Sequence, residues 1–307
     1  MKPLHEIKAL PITGAEPMSL TVVTPPRGAV ELDLTTDGAQ WEQVPLPSGT
    51  GFGQASVKGK MKILIYTPEH PSYGIRPQTR CSIQAAIKNY DGPVDWLIST
   101  GDNPVNAAYD NVAYHHNKAR SIILAGNYDA FLSIESDMIV PVDTIVGLIA
   151  TDSDIAYGLY IWRHKPFRWN AYKTLNLWGG ESVTYHYNGN DARASWDRII
   201  DVAGLGMGCT LIRRNVLEEL EFRLHDGTHS WIVDEYREQF ETLGIDPHKE
   251  RRHMVCDDWL LAMDAQHYGY SQRCNLSIVC GHIDHQYVLW PDLDSKNFYR
   301  KDMVKEI

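Results

Sequence analysis

An apolar run that ends in two carboxylates constrains the fold of this chain most: YDAFLSIESDMIV (Tyr128–Val140), in which Glu135 and Asp137 flank Ser136. An uninterrupted apolar run bounded by a proline, here Pro141, predicts a buried strand of a parallel sheet. Ligands of open α/β sheets bind just beyond the carboxyl ends of such strands. We therefore expect both acids to lie where a ligand binds.

The spacing of the two acids indicates what that ligand contains. Two carboxylates at alternate positions can turn toward one hard divalent cation, which prefers oxygen ligands and shares them with substrate phosphates. The pair therefore predicts a metal and diphosphate site. A second interpretation is that Glu135 and Asp137 cap the helix that Pro141 opens, since acids are common before a helix N-terminus. The motif alone leaves both interpretations open.

Strands and helices alternate from Met61 onward. A strand at Lys62–Thr67 is followed by a helix from Pro77 that carries Ile83 and Ile87 on one face. Repeated units of this kind predict an α/β fold with a doubly wound sheet. The further predicted elements are a strand at Val94–Thr100, a helical stretch to Ala125, a helix at Pro141–Ala150 and a strand at Asp154–Trp162.

The chain divides into three predicted parts. Residues 1–60 form a small β-rich appendage, because Leu20–Thr24 and the alternating Ala29–Leu34 are followed by the turn pair Asp37-Gly38. Residues 61–290 form the main α/β domain, and residues 291–307 form a C-terminal tail. We assign no chemistry to the appendage.

Composition excludes several classes of protein. The 307 residues are 43% hydrophobic, yet no apolar run is long enough for a membrane span and the N-terminus lacks a signal-peptide core, so we expect a cytoplasmic protein. The five cysteines show no CxxC spacing and are expected to be reduced. The formal charge of −10 argues against broad electrostatic capture of nucleic acid or of an anionic membrane.

Two segments after the predicted sheet strands have unusual composition. Residues 163–198 lose periodicity and gather aromatic residues, as in Trp169–Gly180, which favours a substrate lid only weakly. In Ile199–Arg214 three glycines separate two short apolar strands, which permits close approach of the backbone to a ligand. This glycine pattern is not a dinucleotide fingerprint, because it precedes a strand and does not open a helix.

Further candidate side chains come near the C-terminus. Asp257 and Asp258 begin a predicted helix within Met254–Tyr270, where they either complement the helix dipole or provide a carboxylate that takes a proton from an attacking hydroxyl. A predicted strand, Leu276–Ile283, then leads to His282. A lone histidine is more often an ordinary core or surface residue than a ligand.

The order of these motifs resembles that of the GT-A fold nucleotide-sugar glycosyltransferases, specifically the family 2-like group. The resemblance covers Met61–Val288 and implies a mixed sheet flanked by helices, a nucleotide-diphosphate donor of UDP or GDP type, and a Mn²⁺ or Mg²⁺ cofactor. ESD stands where the family has DxD, so the resemblance makes Asp137 a direct metal ligand, with Glu135 as a departure from the family's first acid. His282 resembles the histidine that completes the metal shell.

The resemblance also assigns the donor and the base. Asp257-Asp258 matches the family's Glu-Asp pair, so Asp258 is the expected base of an inverting single displacement, with Asp257 beside it. The residues expected to contact the nucleotide sugar are Thr67, Pro68, Glu69, Arg76, Asp102, Asn117, Arg120, Glu135 and Ser136. Those expected on the acceptor side are Trp178, Gly206, Gly208 and Trp259.

Several alternatives stay open at this point. A nucleotidyltransferase would normally carry a glycine-rich basic loop after the first strand, and TPEHPSYGIRPQTR is poor in glycine. A non-catalytic sugar-binding relative would not need all four acid positions and His282. The acceptor is unknown; a hydroxymethylated DNA base, as in phage-type enzymes, would need a basic track. The only candidates for that track, which we interpret as solvated surface, are Arg163, His164, Lys165, Arg168 and Arg251-Arg252-His253.

Overall fold

A computed structural model of the protein describes residues 22–23, 60–70, 72–99, 108–163, 167–175, 184–185, 198–223, 237–244, 257–292 and 299–304. Its strands are β1 Val22–Val23, β2 Ile63–Pro68, β3 Val94–Ser99, β4 Ala130–Ile134, β5 Met138–Ile139, β6 Ile155–Leu159, β7 Ile161–Trp162, β8 Arg168–Trp169, β9 Tyr172–Thr174, β10 Thr184–Tyr185, β11 Ile199–Asp201, β12 Cys209–Arg213, β13 Gln272–Val279, β14 Gly281–Asp284, β15 Tyr287–Pro291 and β16 Tyr299–Met303. Its helices are α1 Pro77–Asn89, α2 Ala108–Ala125, α3 Thr144–Ile149, α4 Arg214–Glu219, α5 Arg237–Leu243 and α6 Asp257–His267.

The main sheet has eight strands in the order β1-β3-β2-β4-β12-β6-β13-β11. Strands β3, β2 and β4 are parallel, and β6 and β13 are parallel to each other. β12 is antiparallel to both β4 and β6. The strands β3, β2, β4, β6 and β13 therefore run in one direction, and β12 runs in the opposite direction. The sheet is therefore mixed, and the carboxyl ends of its parallel strands meet at one edge.

Both faces of the sheet are buried. Along β2, Leu64 and Tyr66 pack into one hydrophobic cluster, whereas Ile63 and Ile65 pack into another. Successive side chains of a strand point to opposite faces, so a continuous apolar run is the pattern of a strand covered on both sides. This is the physical reason why the apolar run in β4 predicted a buried strand.

A second sheet adjoins the carboxyl edge of the main one. Its four strands follow the order β16-β15-β14-β5. β5 pairs with β14 so that Met138 lies opposite His282, and Ile283 N donates to Asp137 O at 2.8 Å. Residues separated by more than a hundred positions in the sequence are thereby brought together by main-chain pairing.

Four predicted elements differ in their bounds. The strand predicted at Leu276–Ile283 is divided at Cys280 into β13 and β14. The helix after the acid pair begins at Thr144 and not at Pro141, because Thr144 N donates to Pro141 O in a turn that precedes it. The strand predicted at Asp154–Trp162 is divided at Tyr160 into β6 and β7. β4 ends at Ile134, so the acids lie in a turn before β5.

The N-terminal appendage lies almost entirely outside the described residues. Apart from Lys60, its described residues are Val22–Val23, which pair antiparallel with β3 at the edge of the main sheet. Cys209, Cys274 and Cys280 are buried free thiols and Cys81 is an exposed one. Within the described part of the chain, no helix combines the length and the apolar character needed to cross a bilayer.

Candidate metal and substrate site

The turn Glu135-Ser136-Asp137 is held by main-chain contacts from three directions. Glu135 N donates to Gly208 O at 3.2 Å, and Arg76 N donates to Ser136 O at 2.9 Å. Asp137 O accepts the bond from β14 described above. Because each residue of the turn is tied to a different segment, the direction of its side chains is determined by the tertiary structure.

Glu135, Asp137 and His282 each offer one potential ligand atom, and these atoms all lie within 4.8 Å of one another. Asp137 and His282 are buried, at 3% and 5% exposure, and Glu135 is half-buried. Burial and the nearby charge of Asp137 raise the pKa of Glu135 to about 7. The three groups offer the mixed oxygen and nitrogen donors that Mn²⁺ and related divalent ions accept.

The orientation of the His282 imidazole supports a metal-binding role. Its Nδ1 lies 2.8 Å from Ile161 O, so Nδ1 carries the proton and donates to that carbonyl. Its Nε2 lies 3.7 Å from Asp137 Oδ1 and is buried without a hydrogen-bond partner among the described residues. Burial lowers the pKa of His282, which favours the neutral ring. A lone pair that faces a carboxylate is explained if a cation binds between them.

The second oxygen of Asp137 contacts groups that the sequence interpretation missed. Arg163 Nη1 forms an ion pair with Asp137 Oδ2, and the Tyr73 hydroxyl donates to the same oxygen at 3.2 Å. The expectation that Arg163 belongs to a solvated basic face is therefore wrong, since its guanidinium neutralises a buried carboxylate. Nothing in the local sequence around Arg163 indicated this partner.

Gly206 lies where three polar side chains converge. A Cβ atom at this position would be 2.9 Å from Asn170 Nδ2 and 3.0 Å from Asp258 Oδ2, and it would collide with Tyr160 Oη. Tyr160 also packs edge-on against His282, with ring centroids 5.6 Å apart. After burial, the charges of Glu135 and Asp258 both contribute to raising the pKa of Tyr160. Tyr160 therefore lies between the metal-ligand cluster and Asp258.

Gly208, the other glycine predicted on the acceptor side, lies against the Tyr160 ring. A Cβ there would be 2.9 Å from Tyr160 Cζ. Trp259 follows Asp258 and packs edge-on against Tyr172 at 5.5 Å. Trp178, the fourth predicted acceptor residue, lies outside the described residues. The structure thus brings Gly206 close to Asp258 and Gly208 close to Tyr160, and a contact of either glycine with an acceptor stays a prediction.

The two acids at the start of α6 have different surroundings. Asp257 is buried, and its Oδ2 accepts a 2.7 Å hydrogen bond from His116 Nδ1 on α2. Asp258 is half-buried, and its Oδ1 accepts a bond from Trp259 N at 2.8 Å while Oδ2 lies beside Gly206. The Asp257 carboxylate is therefore occupied by its buried hydrogen bond with His116, whereas one oxygen of Asp258 lies beside Gly206.

The predicted nucleotide side of the site is built from the end of β2 and the turn after it. Thr67 is fully buried and its Oγ1 accepts from Trp96 Nε1 at 3.1 Å, so this hydroxyl is engaged within the core. Pro68 ends β2, and Glu69 N donates to Ser99 O at 2.9 Å. The Arg76 guanidinium lies 4.1 Å from the centroid of the Tyr73 ring.

Two other residues predicted to contact the donor bind main-chain groups of the protein, and a third lies outside the described residues. Asn117 binds both the N–H and the carbonyl of Phe222. Arg120 Nε donates to the carbonyls of Leu217 and Leu220. These bonds hold α2 against α4 and the segment after it, and a nucleotide contact by Asn117 or Arg120 stays a prediction. Asp102 lies outside the described residues.

The capping interpretation of the first acid pair is not supported. Helix α3 begins at Thr144 with Asp143 as its N-cap, and this aspartate makes no capping hydrogen bond from its side chain. Glu135 and Asp137 lie before β5, at a separate position. Their carboxylates face the histidine and arginine groups described above and not the start of α3.

Comparison with known proteins gives no family assignment. No protein-family model matches the sequence, and no curated protein matches it. Among solved structures, A197 from STIV shares 17% identity at a TM-score of 0.44, over 80% of this chain and 98% of that one. A glycosyltransferase involved in glycosylation of the major capsid of PBCV-1 shares 15% identity at a TM-score of 0.27, over 51% and 62% of the two chains.

A nucleoside-diphosphate-sugar pyrophosphorylase from Vibrio cholerae RC9 shares 10% identity at a TM-score of 0.34, over 69% of this chain and 91% of that one. These TM-scores are too low to establish a shared fold. The geometry of the site itself indicates its chemistry. At the carboxyl edge of the mixed α/β sheet, two carboxylates and an imidazole lie close enough together to bind one divalent cation.

Proposed function

We propose that the protein is a metal-dependent glycosyltransferase of GT-A type that moves a sugar from a UDP- or GDP-linked donor to an acceptor hydroxyl. The observation that carries the proposal is the buried, unpartnered Nε2 of His282, which faces Asp137 beside Glu135. Such an arrangement fits a divalent cation better than it fits an apolar core, where an orphaned polar atom is costly.

The same edge of the sheet carries the second group that glycosyl transfer needs. Asp258 Oδ2 lies beside Gly206, and Tyr160 separates it from His282. Asp258 takes the proton of the acceptor hydroxyl while the oxygen of that hydroxyl bonds to the anomeric carbon. The bond from the anomeric carbon to the nucleoside diphosphate breaks at the same time, with inversion. Glu135, Asp137 and His282 would hold the cation, Mn²⁺ or Mg²⁺, which would supply positive charge for the diphosphate leaving group.

A thermal-shift panel of UDP- and GDP-sugars, with and without Mn²⁺, tests the proposal. Binding to the folded state at about a hundred times the Kd stabilises it by about 2.7 kcal/mol, which corresponds to a rise in Tm of several degrees. We expect Mn²⁺ to raise the Tm of the wild-type protein and a nucleotide sugar to raise it further only when the metal is present.

The variant Asp137→Asn provides the decisive comparison, because it keeps the shape of the side chain but removes its charge. We expect this variant to show neither the metal shift nor the nucleotide-sugar shift. Asp201→Asn is the matched control, since the Asp201 side chain is 86% exposed on β11. A wild-type response in Asp137→Asn would refute the proposed site.

A further inference from the structure

Among the described residues, Arg163 is the one arginine or lysine that forms an ion pair with a proposed metal ligand. Its Nη1 contacts Asp137 Oδ2, on the carboxylate whose other oxygen faces His282 Nε2. Its side chain is 39% exposed, whereas that of Asp137 is 5% exposed. The guanidinium therefore contacts a buried acid from the solvent side.

The position of Arg163 is set by the same strand that orients the imidazole. Ile161, two residues earlier in β7, accepts the hydrogen bond from His282 Nδ1. The backbone near Arg163 is thereby tied to one metal ligand while its side chain neutralises another. The long side chain of an arginine can change its partner without any movement of this anchored backbone.

The charges around the turn indicate what the arginine binds once Asp137 has a different partner. Two carboxylates, those of Glu135 and Asp137, would balance the charge of a divalent cation, and a histidine that ligates a metal does so as a neutral imidazole. Arg163 and Arg76 then remain as two positive charges that both contact Tyr73, and Arg76 Nε is buried without a hydrogen-bond partner among the described residues. The diphosphate of a nucleotide sugar carries two negative charges, which would balance them.

We propose that Arg163 is the counter-ion of Asp137 when no metal is bound, and that it becomes a diphosphate-binding residue when a divalent cation takes its place on that carboxylate. The inference rests on the proposed function and extends it to the order of binding. A cation bound between Asp137 Oδ1 and His282 Nε2 would neutralise the carboxylate charge that holds the guanidinium at Oδ2. The metal therefore binds first, and the released guanidinium then donates paired hydrogen bonds to phosphate oxygens.

The inference makes opposite predictions for two ligands. Replacing Arg163 by glutamine removes the competitor of the cation, so Arg163→Gln should bind Mn²⁺ at least about threefold more tightly, because the cation no longer has to displace a guanidinium from the carboxylate. The same variant should bind pyrophosphate in the presence of saturating Mn²⁺ at least about tenfold more weakly, because it lacks a charge-assisted hydrogen bond. A purely structural role for Arg163 would weaken both affinities or change neither.

Titration calorimetry with Mn²⁺ alone, and then with inorganic pyrophosphate at saturating Mn²⁺, measures the two affinities. Arg163→Lys keeps the charge and should lie between wild type and Arg163→Gln for both ligands. Arg168→Gln is the matched control, because Arg168 is an exposed arginine on the adjacent strand β8, and it should resemble wild type. Unchanged or weaker Mn²⁺ binding in Arg163→Gln, or unchanged pyrophosphate binding, would overturn the inference.

Pyrophosphate separates this inference from the proposed function. If pyrophosphate binds in an Arg163-dependent manner but no nucleotide sugar does, the inference stands and the glycosyltransferase proposal fails. If nucleotide sugars bind with metal and Arg163→Gln binds both Mn²⁺ and pyrophosphate as wild type does, the proposed function stands and the inference fails.

Discussion

At the scale of single residues, the direction of each side chain decides whether the site can work. Asp257 and Asp258 are adjacent, but Asp257 is buried against His116 whereas Asp258 has an oxygen beside Gly206. Adjacent residues in the first turn of a helix point about a quarter-turn apart, so they meet different neighbours. This difference in surroundings is why we assign proton removal to Asp258 and packing to Asp257.

Asp258→Asn should therefore separate binding from chemistry. We expect the variant to bind Mn²⁺ and a nucleotide sugar as wild type does, while the rate of transfer falls by about 10²–10⁴, the usual contribution of a general base. Donor affinity from calorimetry and kcat from product formation measure the two properties. Wild-type turnover by Asp258→Asn would show that another group takes the proton.

Asp257→Asn is the informative partner of that variant. It should lower the free energy of unfolding because it breaks the bond with buried His116, whereas Asp258→Asn should leave stability near the wild-type value. If both variants lost stability equally, the different roles of the two acids would be contradicted.

At the scale of elements, two buried ion pairs hold α6 in place. His116 on α2 binds Asp257 at the start of the helix, and Arg223 binds Asp264 farther along it through two bonds of 2.8 and 2.9 Å. These contacts fix the rotation of α6 about its axis and thereby the direction of Asp258. Phe222 packs against the His116 ring at 4.7 Å and completes the enclosure of the pair.

The His116–Asp257 pair predicts a pH-dependent part of the stability. Burial alone lowers the pKa of His116, but the charge and hydrogen bond of Asp257, together with the charges of Glu135 and Asp258, outweigh it and raise this pKa. A histidine whose pKa is higher in the folded state stabilises it fully below the unfolded value of about 6.5, and loses this contribution as the pH rises through the folded value.

Urea unfolding of wild type and His116→Gln between pH 5.5 and 9, with EDTA present, checks this expectation. We expect wild type to be more stable than His116→Gln by about 3–5 kcal/mol at the acidic end, with a gap that narrows toward alkaline pH. His285→Gln is the control, because the His285 side chain is 92% exposed. A gap that did not change with pH would contradict the raised pKa.

At the scale of the whole molecule, the topology brings the proposed metal ligands and Asp258 to one edge of the main sheet. β12 runs against β4 and β6, and its preceding loop carries Gly206 and Gly208 to the turn that follows β4. The small sheet brings β14 to the same turn through its pairing with β5. Residues from four separate parts of the chain, to which we assign metal binding and proton removal, therefore meet at one place.

The distribution of charge argues against a nucleic-acid acceptor. The chain carries a formal charge of −10, and Arg163, a candidate for a basic track, is paired with Asp137. We expect no binding of single- or double-stranded DNA at 50 mM salt, because non-specific affinity depends on cations that are free to contact phosphates. Fluorescence anisotropy with labelled oligonucleotides measures it. Tight, salt-sensitive binding would revive the DNA-base-modifying alternative.

Local sequence patterns were sufficient for much of the fold. Continuous apolar runs predicted β2 and β4, helical spacing predicted α1, and the two short apolar segments on either side of the glycines predicted β11 and β12. These predictions succeed because period and polarity are properties of a short segment. The bounds of α3 and the division of the strand at Tyr160 were missed, since each depends on hydrogen bonds and packing with neighbouring segments.

The sequence by itself determined which groups are available at the ends of buried strands: the ESD turn, the acids that begin α6, and the histidine that follows β13. Only the tertiary structure decided which of them meet. The pairing of β5 with β14 brings His282 to Asp137, and the course of the chain after β7 brings Arg163 to the same carboxylate. Distances between residues far apart in sequence depend on strand order and register, which long-range packing selects and local residue patterns do not encode.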